Sequence, residues 1–86
     1  EWSDATGRLA LVERALPESW AGRPLSELEH PGRLIVIAVT RAGEPRLDAR
    51  DLTGQEGDVL HLAVLDDSLR ELDEALARGK QSDAGS

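Results

Sequence analysis

The residues with the clearest chemical potential are two arginines that bracket the most apolar stretch of the chain. Arg33 precedes and Arg41 follows this stretch, residues 34–39, and His30 lies just upstream. A guanidinium presents a planar fork of donors that suits carboxylates and phosphates. An arginine at a strand entrance can simply be solvated. Alternatively, Arg33 with Leu34 and Ile35 forms an anion site with an apolar floor, and two paired copies would place two arginines around one anionic ligand.

Catalytic chemistry has little support in the sequence. The two histidines, His30 and His61, fall on different predicted elements, His30 as a helix cap and His61 as a partly buried strand residue. Asp66 and Asp67 lie at the start of a predicted helix, and the helix dipole favours acidic side chains at this end, so their presence needs no catalytic or metal-binding role. Cysteine is absent, which excludes a disulfide, a Cys-based zinc site and a thiol nucleophile, and no glycine pattern fits a phosphate loop. We therefore expect no enzyme activity, no metal site and no cofactor, and a small hydrolase or isomerase subunit is the least favoured class.

Composition limits the classes of partner. The 86 residues suffice for one small domain, and a second copy would add buried area to its modest core. The net charge of −7 argues against binding duplex nucleic acid or an anionic membrane, but not against a small anion held by local arginines. Because methionine is absent, the chain is expected to be a fragment of a longer protein. No stretch resembles a signal peptide or a membrane span, so a cytoplasmic setting is expected.

The elements that must position these residues begin with a strand over residues 34–41, whose β-branched content favours a strand over a helix. Both of its faces are apolar, which predicts cover on both sides by helices or by a second copy. A first strand over residues 8–16 ends at Pro17, with helix as the competing interpretation. A short helix over residues 24–29 is stopped by the segment 30–32, since the residue before a proline leaves the helical region.

In the second half of the chain, the sequence predicts a turn over residues 42–45, a short antiparallel strand over 46–48, a loop over 49–57 and a strand over 59–65. A final helix follows, with Ser68 and Glu71 as a capping box, a stripe of Leu69, Leu72 and Leu76, and Gly79 just past its end. Residues 1–7 are expected to be flexible, 8–79 to form the domain, and 80–86 to be a disordered tail. The fold class is α+β, a small β-α-β-β-β-α sandwich.

Three segments carry a resemblance to a known family. They are residues 18–28 (ESWAGRPLSEL), 37–43 (IAVTRAG) and 55–60 (QEGDVL), in that order. In this pattern the chain, over about residues 8–78, resembles the RCK-C domain, the C-terminal regulatory domain of TrkA-type potassium and cation transport proteins.

The resemblance implies a two-fold dimer that follows a Rossmann-like nucleotide-binding domain and gates a potassium channel or a cation/proton antiporter. In several bacterial members of the family the cleft between the two copies binds cyclic di-AMP. Carried over to this sequence, the ligand contacts would be His30, Arg33, Leu34 and Ile35, with Asp48 and Ala49 from a neighbouring loop.

With no support for catalysis in the residues, the resemblance implies a non-catalytic regulatory domain that forms a homodimer, is cytoplasmic and peripheral to a membrane transport subunit, and binds cyclic di-AMP at the dimer interface. Two alternatives stay open. One is a dimerisation module without a ligand, and the other is a cation-responsive regulatory domain, since acidic residues are plentiful.

Overall fold

The computed structural model describes residues 1–78 as a five-stranded antiparallel sheet with one helix. The strands are β1 (Trp2–Ser3), β2 (Leu9–Ala15), β3 (Leu34–Arg41), β4 (Glu44–Arg46) and β5 (Val59–Leu65), in the spatial order β1-β2-β5-β3-β4. The helix α1 spans Leu69–Arg78, and short 3₁₀ turns lie at Glu18–Trp20, Leu25–Leu28, Ala49–Asp51 and Asp66–Ser68. This confirms the α+β class, and the strand interpretation of residues 8–16 over the helical one.

The hydrophobic core lies on one face of the sheet, as the alternation of β5 predicts. Leu60, Leu62 and Val64 are fully buried on this face, and Val59, His61, Ala63 and Leu65 lie on the other. The 3₁₀ turns, α1 and Leu16, which follows β2, cover the core face with a second layer of apolar side chains; the residues of the turns and the helix are Trp20, Leu25, Leu28, Ala49, Leu72 and Leu76.

The opposite face of the sheet, called here the open face, has no such layer over β3 among residues 1–78. Ile35 is 42% exposed and Ile37 is 37% exposed, whereas Leu34, Val36 and Val39 are buried in the core. Ile35 and Ile37 are two residues apart and therefore lie on the same side of β3, and a register shift between Val36 and Ala38 returns Val39 to the core face. The chain itself therefore covers one face of this strand, and cover of the other by a second copy stays a prediction.

Two predicted elements of the middle segment differ in the structure. The helix predicted over residues 24–29 is a single 3₁₀ turn, Leu25–Leu28, because Pro24 and Glu29 are both extended and leave too few residues to form an α-helix. The turn predicted over residues 42–45 is shorter, since Ala42 and Gly43 both have positive φ and close a tight hairpin. Strand β4 therefore occupies residues 44–46, two residues before the predicted position.

The last helix begins where the sequence predicts, since Leu69 directly follows Ser68, but the predicted capping contact is not formed. Residues 66–68 form a 3₁₀ turn, and Ser68 is buried within it with no hydrogen-bond partner for its Oγ among the described residues. The Ser68–Glu71 capping box is therefore wrong. The apolar stripe is confirmed for Leu72 and Leu76, which are both buried.

The sequence also predicts a flexible segment at each end of the chain. The N-terminal segment contains β1, which pairs with β2 through Trp2–Leu11 and Ser3–Ala10, while the expected flexibility of residues 1–7 stays a prediction. Gly79 and the tail 80–86 lie outside the described residues. None of the helices within residues 1–78 has the length and apolar character needed to cross a membrane.

Candidate functional site

A shallow groove of about 210 Å³ lies where the first residues of β3 meet the end of β5. The antiparallel register brings these segments together, since Leu9 pairs with Leu65 and Ile35 pairs with Ala63. Apart from Arg33, the lining is apolar or glycine. The groove is lined by Leu9, Gly32, Arg33, Leu34, Ile35, Ala63 and Leu65.

The turn before β3 holds Arg33 at the rim of this groove. The backbone N–H groups of Arg33 and Leu34 both donate to the His30 carbonyl at 2.9 Å, and the Arg33 carbonyl accepts from the Leu65 N–H at 2.9 Å. Gly32 has a φ of +84°, which a glycine adopts without strain. Arg33 is therefore fixed to both β3 and β5, and only its side chain is free to change direction.

The Arg33 guanidinium is bound by an acid from α1. Its Nη1 donates to Glu71 Oε1 at 2.7 Å and its Nη2 donates to Glu71 Oε2 at 3.2 Å. His30 approaches the same carboxylate, with 3.9 Å between its Nε2 and Glu71 Oε2, which is too long for a hydrogen bond. The arginine that the sequence predicts as an anion ligand thus already has an anionic partner within the chain.

The structure brings together only some of the predicted site residues. Arg33, Leu34 and Ile35 line the groove, and His30 lies beside it through its approach to Glu71. The Leu34 side chain belongs mainly to the core. Asp48 and Ala49 do not line this groove: Asp48 forms an ion pair with Arg46, and Ala49 is buried in the core.

Sequence reasoning missed several groove residues. Leu9, Ala63 and Leu65 come from β2 and β5, and a signal for the latter two was their alternation with the buried positions of β5. Glu71 was predicted as a capping residue. Its pairing with Arg33 joins residues far apart in sequence, and no local pattern could indicate it.

The groove continues into an apolar row across the open face. Trp2, Leu11, Ala63 and Ile35 lie side by side on four neighbouring strands. Trp2 is 53% exposed, and Leu11 is also exposed. A second hollow of about 340 Å³ adjoins Trp2, Leu11 and Ile37 on this face. A contiguous apolar surface of this kind is typical of a protein interface.

His61 lies on the open face between two polar side chains. Its Nε2 is 2.9 Å from Thr40 Oγ1, and its Nδ1 is 3.7 Å from Glu13 Oε2. The order carboxylate, imidazole, hydroxyl is that of a hydrolase triad, but the 3.7 Å separation is longer than the hydrogen bond that orients such an imidazole. Thr40 also lies within a paired strand, opposite Val59 and Pro45. The contact confirms His61 as a satisfied, partly buried strand residue.

The other arginine of the predicted pair, Arg41, has a structural role. It donates from Nε and Nη2 to the two carboxylate oxygens of Asp58, at 2.9 and 2.8 Å, and from Nη2 to the Thr53 carbonyl. Asp58 is 1% exposed. Arg41 therefore pairs with a buried carboxylate of the fold, and Arg33 is the arginine that lies at the groove.

No set of three or more acidic or histidine side chains within residues 1–78 is arranged to hold a metal ion. Asp66 is used locally, since its Oδ1 accepts from the Asp67 N–H. The cation-responsive alternative stays a prediction from composition.

No protein-family model matches the chain. The chain is, however, 33% identical over 84 residues to the Trk system potassium uptake protein TrkA of Streptomyces coelicolor. The similarity covers 98% of this chain and 38% of that protein, so the chain spans well under half of its relative. The match agrees with the sequence resemblance at the level of TrkA, while assignment to the C-terminal domain stays a prediction. Together, the fold and the similarity support a TrkA-like domain.

Proposed function

We propose that this chain is a non-catalytic regulatory domain of a potassium uptake system, located in the cytoplasm, which forms a homodimer and binds an anionic nucleotide between its two copies. The observation that carries the proposal is the similarity of almost the whole chain to a potassium uptake protein. Its partner would be the membrane subunit of a potassium channel or a cation/proton antiporter.

The open face supports pairing of two copies. Its row of Trp2, Leu11, Ala63 and Ile35 gives each copy an apolar strip, and a two-fold axis would place identical strips against each other. Burial of such a strip is favourable by about 25 cal/mol per Å² of apolar surface. A small domain with a modest core gains stability from this additional burial.

The lining of the groove suits a ligand that is apolar in one part and anionic in another. Ile35, Ala63 and Leu65 offer a surface for a flat ring, and Arg33 offers a guanidinium at its rim. Cyclic di-AMP has two adenine rings and two phosphates, so two copies of the groove would supply one arginine for each phosphate. Binding would then regulate transport to the extent that the ligand prefers one arrangement of the two copies over another.

A dimerisation module without a ligand is the second candidate. The observation that favours it is the Arg33–Glu71 pair, in which both terminal nitrogens of the arginine are already used. In that case the pair is a structural contact between β3 and α1, and the apolar row alone determines the function.

Isothermal titration of the 86-residue chain with cyclic di-AMP distinguishes the two candidates, with cyclic di-GMP, ATP and AMP as control ligands. We expect selective binding of one cyclic di-AMP per two chains, lost in Arg33→Ala. The matched control is Arg70→Ala, which removes an exposed arginine of α1 that does not line the groove. Binding that survives Arg33→Ala would contradict the assignment of the ligand site to this groove. If a dimeric sample gives no heat with any nucleotide, the dimerisation module without a ligand is the remaining candidate.

A further inference from the structure

We propose that Glu71 is an internal competitor for the anion, a carboxylate that occupies the donor fork of Arg33 until a phosphate takes its place. The inference rests on the proposed function, since it concerns the affinity of the same groove. It assigns a ligand-tuning role to a residue of α1 that does not itself line the groove.

The geometry of the pair carries the argument. Glu71 binds end-on, with one oxygen at each terminal nitrogen of Arg33, at 2.7 and 3.2 Å. A phosphate recognised in the same bidentate manner needs the same two N–H groups. If it used another edge of the guanidinium instead, its charge would lie beside that of Glu71, and like charges repel. Either way, Glu71 lowers the affinity of Arg33 for an anion.

The exposure of the pair makes the exchange feasible. The Arg33 side chain is 49% exposed and the Glu71 side chain 39% exposed, so water can solvate both when they separate. Ion pairs of this kind contribute little to stability. A strong, buried pair would close the site permanently, whereas this one can open when a ligand binds.

The surrounding elements allow the carboxylate to leave without disturbing the fold. Leu72, the next residue of α1, is fully buried and anchors the helix against the sheet. Arg33 is anchored through its backbone, as described above. Only the two side chains have to change rotamer.

The test is a titration of the 86-residue chain and its Glu71→Gln variant with two probes, cyclic di-AMP and inorganic pyrophosphate. Glutamine keeps the shape of the side chain and removes its charge. The control is Glu74→Gln, an exposed acid on the same helix that forms no ion pair among residues 1–78. We expect Glu71→Gln to raise the affinity about 1.4- to fivefold for each arginine that contacts the ligand, the range that exposed ion pairs allow. Glu74→Gln should leave it unchanged.

Each outcome decides between the proposals. Tighter binding of either probe by Glu71→Gln, abolished by adding Arg33→Ala, supports the competitor. If Glu71→Gln binds pyrophosphate more tightly while cyclic di-AMP binds no variant, the proposal that Glu71 competes for Arg33 is supported and cyclic di-AMP is not the ligand. If cyclic di-AMP binds the wild type, Glu71→Gln and Glu74→Gln equally, the regulatory site stands and the competitor is refuted. Absence of binding by both probes in every variant overturns both.

Discussion

The buried ion pair between Arg41 and Asp58 makes a quantitative prediction about stability. Asp58 accepts three hydrogen bonds, two from Arg41 and one from the Gln55 N–H at 2.9 Å. Its replacement by asparagine removes the charge and leaves the Arg41 cation near the core without a counter-ion. Breaking a buried pair from one side costs about 3 to 5 kcal/mol. Because the Arg41 side chain keeps some access to water, we expect the lower end, about 3 kcal/mol.

This loss is large for so short a chain. Typical stabilities per residue give roughly 4 to 13 kcal/mol for a chain of this length. A loss of about 3 kcal/mol corresponds to a fall in Tm of about 12 to 24 °C. Urea denaturation followed by circular dichroism at neutral pH measures the difference directly. The matched control is Asp48→Asn, which removes one acid from the exposed Arg46–Asp48 pair and should leave the urea midpoint nearly unchanged.

The same carboxylate predicts how the difference depends on pH. Burial raises the pKa of Asp58, but the Arg41 guanidinium and the Gln55 amide outweigh it and hold this pKa below its ordinary value. Its contribution is therefore fully present above the unfolded pKa, about 3.9 for aspartate, and is lost as the pH falls through the folded pKa. The difference in stability between wild type and Asp58→Asn should begin to shrink as the pH falls below about 4 and should disappear only below the folded pKa of Asp58. Equal stability of the two at neutral pH would refute this reasoning.

Three further changes have defined outcomes. Gly54→Ala should cost about 1 to 3 kcal/mol in urea denaturation, because a Cβ at residue 54 would lie 2.7 Å from Leu16 Cδ2. Ser68→Ala should raise the free energy of unfolding by up to about 1 kcal/mol, since it removes a buried hydroxyl that has no partner among the described residues. Ile35→Asp should keep the circular dichroism of the folded chain but reduce its self-association in sedimentation, since it places a charge in the apolar row.

For each of these three variants, one outcome would contradict the prediction. Unchanged stability of Gly54→Ala would mean that the packing around residue 54 is looser than described. A loss of about 1 kcal/mol in Ser68→Ala would restore the helix-capping role that the sequence predicted. For Ile35→Asp the matched control is Leu47→Asp, since Leu47 is 85% exposed and lies outside the apolar row. An equal effect of both variants on association would remove the argument for the open face.

The features that local patterns control were predictable from the sequence. The alternation in residues 59–65 gave the bounds and the buried face of β5, and the β-branched run gave β3. The tight hairpin at Ala42 and Gly43 was missed, because positive φ at an alanine has no sequence signal. Ser68 stands directly before α1 as predicted, but its hydroxyl is buried without a partner, and no local pattern indicates that burial.

The candidate site was predictable only in part. Arg33 and Ile35 stand out because they are close in sequence to a strand entrance. The rest of the groove depends on which strands are neighbours, and Leu9, Ala63 and Leu65 reach it through the order β2-β5-β3. Glu71 reaches Arg33 only because α1 packs back over the core face. Long-range pairings of this kind follow from the tertiary fold and not from local spacing.

The central claim is that two copies of this chain enclose a ligand between them. Sedimentation velocity of the 86-residue chain, with and without cyclic di-AMP detected by its absorbance, tests it most directly. The account predicts a dimeric species that carries the nucleotide with it at one ligand per two chains. A chain that sediments as a monomer at all concentrations, whether or not the nucleotide is present, would contradict it.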